Sequence, residues 1–322
     1  MSTTRSTSEQ VGPYTVVTGG RTDRPTEGSY LLSAVVLGRE AKFNRPAVIR
    51  TLERHGVAEI VAVEPAASAY EVESLTRSLP TVRFLLLQRP FSVGEQINAA
   101  MGELRTRYVL VIWDDTLVEA LPTGLDDLFA PEGVIALVPE VRGPNREEVP
   151  TVVAPASQGP RMRVLTLPRE RDGQQTLYPA DFAGIYHRER FLDAEGYDAD
   201  IPQSYWQKLD FGFRLHMIGY TVAHPPGFRV ALRNPPVPED TTPGESYLRF
   251  FLKNLGVSVQ NGRARLRRRS LWTLLLKTGT FSMTTLRLHR EVKRWLSERR
   301  YLFQRDAHDV IRTWGTRGER QS

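Results

Sequence analysis

Between residues 30 and 116 the chain alternates four times between a short, near-continuous apolar run and an amphipathic stretch. "YLLSAVVLG" (30–38), "EIVAVE" (59–64), "VRFLLLQ" (82–88) and "YVLVIW" (108–113) read as strands. Between them, "RPAVIRTLERHG" (45–56), "SAYEVESLTRSLP" (68–80) and "SVGEQINAAMGELR" (92–105) read as helices, with Gly56 and Pro80 as stops. Strands that lack polar alternation are buried on both faces. The rhythm therefore predicts an α/β fold whose parallel sheet is covered by helices on both sides.

After Thr116 the rhythm weakens. "GVIALVPEV" (133–141), "TVVAPA" (151–156) and "RMRVLTL" (161–167) read as strands between Pro- and Gly-rich turns, so the sheet becomes mixed. "YWQKLDFGFRLHMIG" (205–219) has helical spacing, with short strands after it. "RNPPVPEDTTPGES" (233–246) is a linker by composition, and the chain beyond it is helical and basic. Residues 1–28 read as a disordered tail with no secretory h-region. The domain expected at 29–235 is thus succeeded by a linker and basic helical extension at 236–322.

The chain has no cysteine, which excludes disulfides and thiolate metal sites and suits a reducing, cytoplasmic setting. No stretch reaches the roughly 18 apolar residues of a membrane span. Residues 263–300 hold twelve Lys/Arg against Glu291 and Glu298, which exceeds the whole chain's +6 and leaves the remainder acidic. The basicity therefore belongs to one segment, which weakens a nucleic-acid reading.

Ligands of a parallel α/β sheet gather at the carboxyl ends of its strands. Asp114 and Asp115 end the fourth strand there. Paired carboxylates suit Mg²⁺ or Mn²⁺ on a diphosphate, or one of the pair caps a following helix. Glu64 ends the second strand, either to accept hydrogen bonds from a nucleoside or as a solvated turn residue. Gly94 and Asn98 open the third helix, where they permit close backbone approach and a first-turn hydrogen bond.

In order, "AVVLGREAKFN", "EIVAVEPAAS", "RPFSVGEQIN", "YVLVIWDDT", "GIYHRERFLDAEGYD" and "DFGFRLHMIGYTV" resemble successive blocks of the family 2 glycosyltransferases, over about residues 30–232. The resemblance implies the GT-A fold, a mixed sheet with helices on both faces. It also implies transfer of a sugar from a nucleotide-diphosphate sugar to a glycan or lipid-linked acceptor, with inversion. Under it Glu64, Gly94, Asn98, Asp114 and Asp115 take donor-binding places. Asp115, helped by Asp114, takes that of the Asp-x-Asp motif that holds the cation. Gly196, Tyr197 and Asp198 stand in place of Gly-Phe-Asp before the acceptor site. Tyr205 and Trp206 stand beside that site, as a sugar-stacking platform or as packing.

Two departures stand out. Where the family carries a Glu-Asp pair that supplies the general base, this chain has Gln207 and Lys208, neither of which readily accepts a hydroxyl proton. Asp210 is the nearest carboxylate left for that role. The family's late histidine is also missing, with His224 a few residues early. His187, in "GIYHRERF", has either a structural place or one beside the diphosphate. A degenerate domain that only binds nucleotide or scaffolds a membrane-surface complex is the alternative.

Beyond residue 262, "SLWTLLLKTGTF" and the stripe Val292, Trp295, Leu296, Arg299 and Phe303 form amphipathic, Arg/Lys-flanked faces. Over 262–303 such a face packs on the domain or a second subunit, lies on an anionic membrane surface as a peripheral anchor, or contacts nucleic acid.

Overall fold

The computed structural model describes residues 7–11, 13–18, 32–39, 45–131, 133–158, 161–267 and 283–314. Four parallel strands form the centre: β3 (Leu32–Leu37), β4 (Ile60–Pro65), β5 (Val82–Leu87) and β6 (Tyr108–Trp113), in the order β5-β4-β3-β6. Successive side chains of a strand point to opposite faces, and both faces here are covered. Val35 and Leu37 join a core with α3 (Val93–Glu103) and α6 (Ser204–Ile218). Ala34 and Val36 join the other core with α1 (Arg45–Arg54) and α2 (Ala69–Ser78). Every residue of β6 is buried. At α3, the Ser92 hydroxyl accepts the Glu95 N–H while the Glu95 carboxylate accepts the Ser92 N–H, a reciprocal cap that fixes where the helix starts.

Among the described residues the main sheet has ten strands. β1 (Thr7–Val11) and β2 (Tyr14–Thr18) form a hairpin antiparallel to β5. This corrects the expectation of a disordered tail: β5 would otherwise be an open edge, and the hairpin satisfies its backbone groups. Beyond β6 the sheet turns mixed through β14 (Gly184–His187), β8 (Val134–Leu137), β15 (Thr221–Ala223) and β13 (Gln175–Thr176). The run expected as one strand at 133–141 divides. β8 stays in this sheet, while β9 (Glu140–Arg142) enters a smaller one in the order β10-β9-β16-β7, with β7 (Thr116–Ala120), β10 (Glu148–Val149) and β16 (Arg229–Leu232). β11 (Val152–Gln158) and β12 (Arg161–Leu167) form a separate hairpin.

The C-terminal part shares a core with α6 rather than standing apart. Leu209, Phe213 and Met217 of α6 cluster with Phe250 of α7 (Glu245–Phe250) and with Leu296 of α8 (Met283–Glu298). Phe303 and Val310 of the final helix region join them. The stripe of α8 is therefore spent inward, with Val292 and Leu296 buried and Trp295 packed against that core. The "SLWTLLLKTGTF" face lies outside the described residues. Among the described residues no helix is long and apolar enough to cross a membrane.

Candidate functional site

The carboxyl ends of β3, β4 and β6 bring together Arg39, Glu64, Asp114 and Asp115. After Trp113 the chain makes a turn at Asp114–Asp115 and continues as β7 rather than as a helix, so the helix-cap reading falls. Asp114 is fully buried. One of its oxygens accepts the Arg39 N–H at 2.9 Å, and the other faces Arg45 Nη2 at 3.4 Å. Arg45 Nη1 lies 2.6 Å from Glu64 Oε1. Burial raises the Asp114 pKa, opposed by the Arg39 N–H and the Arg45 guanidinium. A guanidinium shared between two desolvated carboxylates costs less than leaving either unpaired. Glu64, only 1% exposed, is thereby committed inward. Glu64 therefore faces Arg45 rather than an open crevice, and both Asp114 oxygens have described partners.

Asp115 differs. It is buried, yet its carboxylate has no described contact shorter than 3.4 Å: Thr116 Oγ1 and Asn234 Nδ2 both lie at 3.4 Å and Arg39 Nη1 at 3.8 Å. Mg²⁺ and Mn²⁺ take hard oxygens, and one carboxylate plus substrate phosphates can hold such an ion. Among the described residues, no three His, Cys, Asp or Glu side chains group so as to hold a metal unaided. The residues present thus fit an ion that arrives with a diphosphate and takes Asp115 as its protein ligand.

Arg39 links this corner to the next. Its guanidinium lies 4.1 Å over the Trp113 ring and pairs with Asp181. Asp181 and Phe182 both take left-handed backbone angles (φ 52° and 62°), an unusual pair for residues with side chains. The Trp113 indole N–H donates to the Asp181 carbonyl at 2.8 Å and holds that turn in place. Beyond Phe182, buried Lys208 places its ammonium 5.2 Å from the Phe182 ring and pairs with Glu239.

Glu239 belongs to the segment read from composition as a linker. That segment is a strap across the site. The Arg233 N–H donates to the Asp115 carbonyl at 3.0 Å. Gln203 Nε2 donates to Asp240 at 2.9 Å, and the Trp206 indole N–H donates to the Thr242 carbonyl at 3.0 Å.

No protein-family model matches this sequence, and no curated protein sequence matches it at a significant level. Solved structures do. The crystal structure of GalNAc-T7 with UDP, GalNAc and Mn²⁺ superposes with a TM-score of 0.54 at 14% identity, over 70% of this chain and 48% of that one. TarS from S. aureus with UDP-GlcNAc gives a TM-score of 0.47 at 12% identity, over 68% and 64%. The mannosyltransferase PcManGT from Pyrobaculum calidifontis, with GDP-Man and Mn²⁺, gives 0.42 at 16%, over 88% and 87%. The fold is GT-A. This GT-A chain spans about half the length of the GalNAc-T7 chain.

Within the GT-A frame, Gly94 and Asn98 serve the packing of α3 against the segment of Gly196, Tyr197 and Asp198. A Cβ on Gly94 would fall 2.4 Å from Tyr197 Cβ and 2.5 Å from Gln207 Cδ. Asn98 donates to the Tyr197 carbonyl at 2.7 Å and accepts the Tyr197 N–H at 2.9 Å. Both ends of its side chain are occupied, which corrects its assignment to the donor. Gln207 accepts the Gly94 N–H and donates to Ser92 Oγ and the Asp198 carbonyl, each at 2.9 Å. Those two donor bonds explain an amide here: a carboxylate offers no proton to the Asp198 carbonyl.

Asp210 is corrected as well. It is fully buried, facing Asn254 at 2.8 Å, Lys253 at 3.1 Å and Arg214 at 3.4 Å, so no acceptor hydroxyl reaches it. Asp198 shares the network, with Lys253 at 2.6 Å and Arg249 at 2.8 Å. Burial alone would raise its pKa, but those two cations hold it well below the usual carboxylate range. Trp206 is buried against Tyr247 and Phe250, a packing role rather than an acceptor platform, while Tyr205 stays half-buried beside it. His187 caps the helix at Arg188–Asp193 and packs edge-on to Tyr108 and Phe129, at the opposite end of β6 from Asp114. His224 is fully buried, and burial followed by Arg169 pushes its pKa down to about 4.

Proposed function

We propose that this chain is a glycosyltransferase that moves a hexose from a nucleotide-diphosphate sugar, UDP- or dTDP-linked, to a hydroxyl of a glycan or lipid-linked acceptor, with inversion. Asp115 carries the reading: a buried carboxylate with no short hydrogen bond among the described residues, at the carboxyl end of a central GT-A strand. Mg²⁺ or Mn²⁺ held by Asp115 and the donor would neutralise charge on the diphosphate leaving group. The GalNAc-T7 structure, with UDP, GalNAc and Mn²⁺, contains that set of ligands. In this chain Arg39 faces Asp115 and Asp181 from its seat on Trp113, a fixed cation beside the place where phosphate charge develops. The Asp114–Arg45–Glu64 triad holds the ends of β4 and β6 in register beneath it. The cysteine-free composition suits a cytoplasmic setting.

The test is a thermal-shift panel of UDP, dTDP, GDP and CDP, with and without Mn²⁺, on wild type and Asp115→Asn. At a nucleotide concentration a hundredfold above its Kd, binding stabilises the wild type by about 2.7 kcal/mol. The expected result is stabilisation by UDP or dTDP that needs Mn²⁺ and is lost in the variant. Mn²⁺-dependent stabilisation retained by Asp115→Asn overturns the assignment.

A second reading, a nucleotide-binding scaffold without turnover, draws on Gln207, Lys208 and Asp210 all being engaged in packing and ion pairs. Turnover of any sugar nucleotide by the wild type excludes it.

A further inference from the structure

Resting on the transferase reading above, we propose that Glu239 of the strap is the general base, with Lys208 as the residue that positions it. The helix positions at 207 and 208 carry no acid, and Asp210 is sealed. Glu239 is the carboxylate delivered to the same wall from outside the helix.

The geometry runs in one row. Asp115 faces Arg39, Arg39 pairs with Asp181, and the adjacent Phe182 lies under the Lys208 ammonium, which pairs with Glu239. Lys208 is 2% exposed and fixed over Phe182 and Tyr178, whereas the Glu239 side chain is 37% exposed, anchored at one oxygen and open to solvent. Burial first, and then the Glu239 carboxylate, raise the pKa values of Tyr178 and Tyr205. Gln203–Asp240 and Trp206–Thr242 tie down the strap on the C-terminal side of Glu239, and Asn234 meets Asp115 on the other. A carboxylate held by one cation that is itself seated on aromatic rings, and reachable from solvent, can take a proton from an acceptor hydroxyl.

The step balances without a further reactant. The acceptor O–H proton passes to a Glu239 oxygen as the acceptor oxygen bonds the anomeric carbon. The bond from that carbon to the β-phosphate oxygen breaks, and its electron pair leaves with the nucleoside diphosphate. Lys208 holds Glu239 in place for the step, and the proton then goes to solvent.

The experiment compares wild type, Glu239→Gln and Asp115→Asn, using a panel of UDP-, dTDP- and GDP-linked hexoses with water as acceptor. Melting temperature and Mn²⁺-dependent nucleotide binding are measured alongside. Glu239→Gln is expected to slow donor hydrolysis about 10²–10⁴-fold. Its nucleotide affinity should stay within about twofold of wild type, while its melting temperature should fall because buried Lys208 loses its carboxylate, so turnover is compared per folded molecule. Turnover by Glu239→Gln within about threefold of wild type overturns the base assignment and leaves the transferase reading intact. A wild type that binds nucleotide but hydrolyses no donor also overturns it, leaving the scaffold. A wild type that binds no nucleotide defeats the transferase reading itself, and Glu239 with it.

Discussion

Replacing Asp210 with Asn separates a structural carboxylate from a chemical one. Asp210 is fully buried among Asn254, Lys253 and Arg214. The amide keeps the shape of the side chain and an oxygen that accepts from Asn254, so packing barely changes. What disappears is the negative charge beside Lys253 and Arg214. Breaking a buried ion pair by removing one partner costs about 3–5 kcal/mol. Lys253 still has Asp198 at 2.6 Å, and Arg214 still donates to the carbonyls of Ala194 and Gly196. Neither cation is orphaned, so the cost falls at the low end, ~3 kcal/mol. Urea unfolding is the assay: the midpoint should drop with the slope unchanged, because the same surface is exposed. Donor turnover per folded molecule should stay within about threefold of wild type. An unchanged midpoint together with a hundredfold or greater loss of turnover, the scale of a lost general base, would refute this reasoning and restore Asp210 as the base.

The packing and titration of neighbouring groups give further outcomes. Gly94→Ala should destabilise by about 1–3 kcal/mol, since its Cβ meets the Tyr197 Cβ and a Gln207 side chain pinned by three hydrogen bonds, none free to give way; urea midpoints check this. Arg45→Met leaves Glu64 and Asp114 buried without their shared guanidinium and should cost about 3–5 kcal/mol, read by the same unfolding. His224, lowered from 6.5 to about 4 by burial and then Arg169, binds its proton first in the unfolded chain. Its contribution is complete above about pH 6.5 and declines toward pH 4; a folded His224→Asn variant should show a flatter stability profile across that window. Asp198, lowered by Lys253 and Arg249 against burial, contributes above the ordinary aspartate value of about 3.9 and loses that contribution progressively below it. Acid titration of Asp198→Asn should accordingly lack the wild type's loss of stability below about pH 4.

The centre of the fold is legible because its strands are buried on both faces and must be apolar almost without interruption. β6 is the extreme case, and Asp114 and Asp115 mark the point where that run breaks. What the pattern cannot assign is which of the two aspartates stays available. That is decided by Arg45, whose pairing with Asp114 spans 69 positions and leaves no trace in local spacing. The hairpin of β1 and β2 is hidden for a different reason. Its strands are short, five residues each, and β2 joins the sheet through backbone pairing with β5 and a few apolar contacts from Tyr14, Val16 and Val17. Asn98 and Gly94 do mark a close approach, but to a different neighbour than the donor: spacing does not say whether a ligand or another helix makes it.

The strap is the least legible part, and it changes the chemistry most. A Pro-rich stretch such as "RNPPVPEDTTPGES" has no periodicity and looks the same whether it links domains or crosses a site. Gln207 and Lys208 of α6 are the available clue. Gln207 is an amide because it must donate to Ser92 and to the Asp198 carbonyl while accepting from Gly94, which no carboxylate can do. Lys208, next to it, is a buried cation facing out of the helix, and a buried cation requires an acid from elsewhere. Read together, an amide that locks the helix and a buried lysine that needs a partner point to the segment covering Lys208 as the source of its carboxylate. That segment is the strap, and the acid is Glu239.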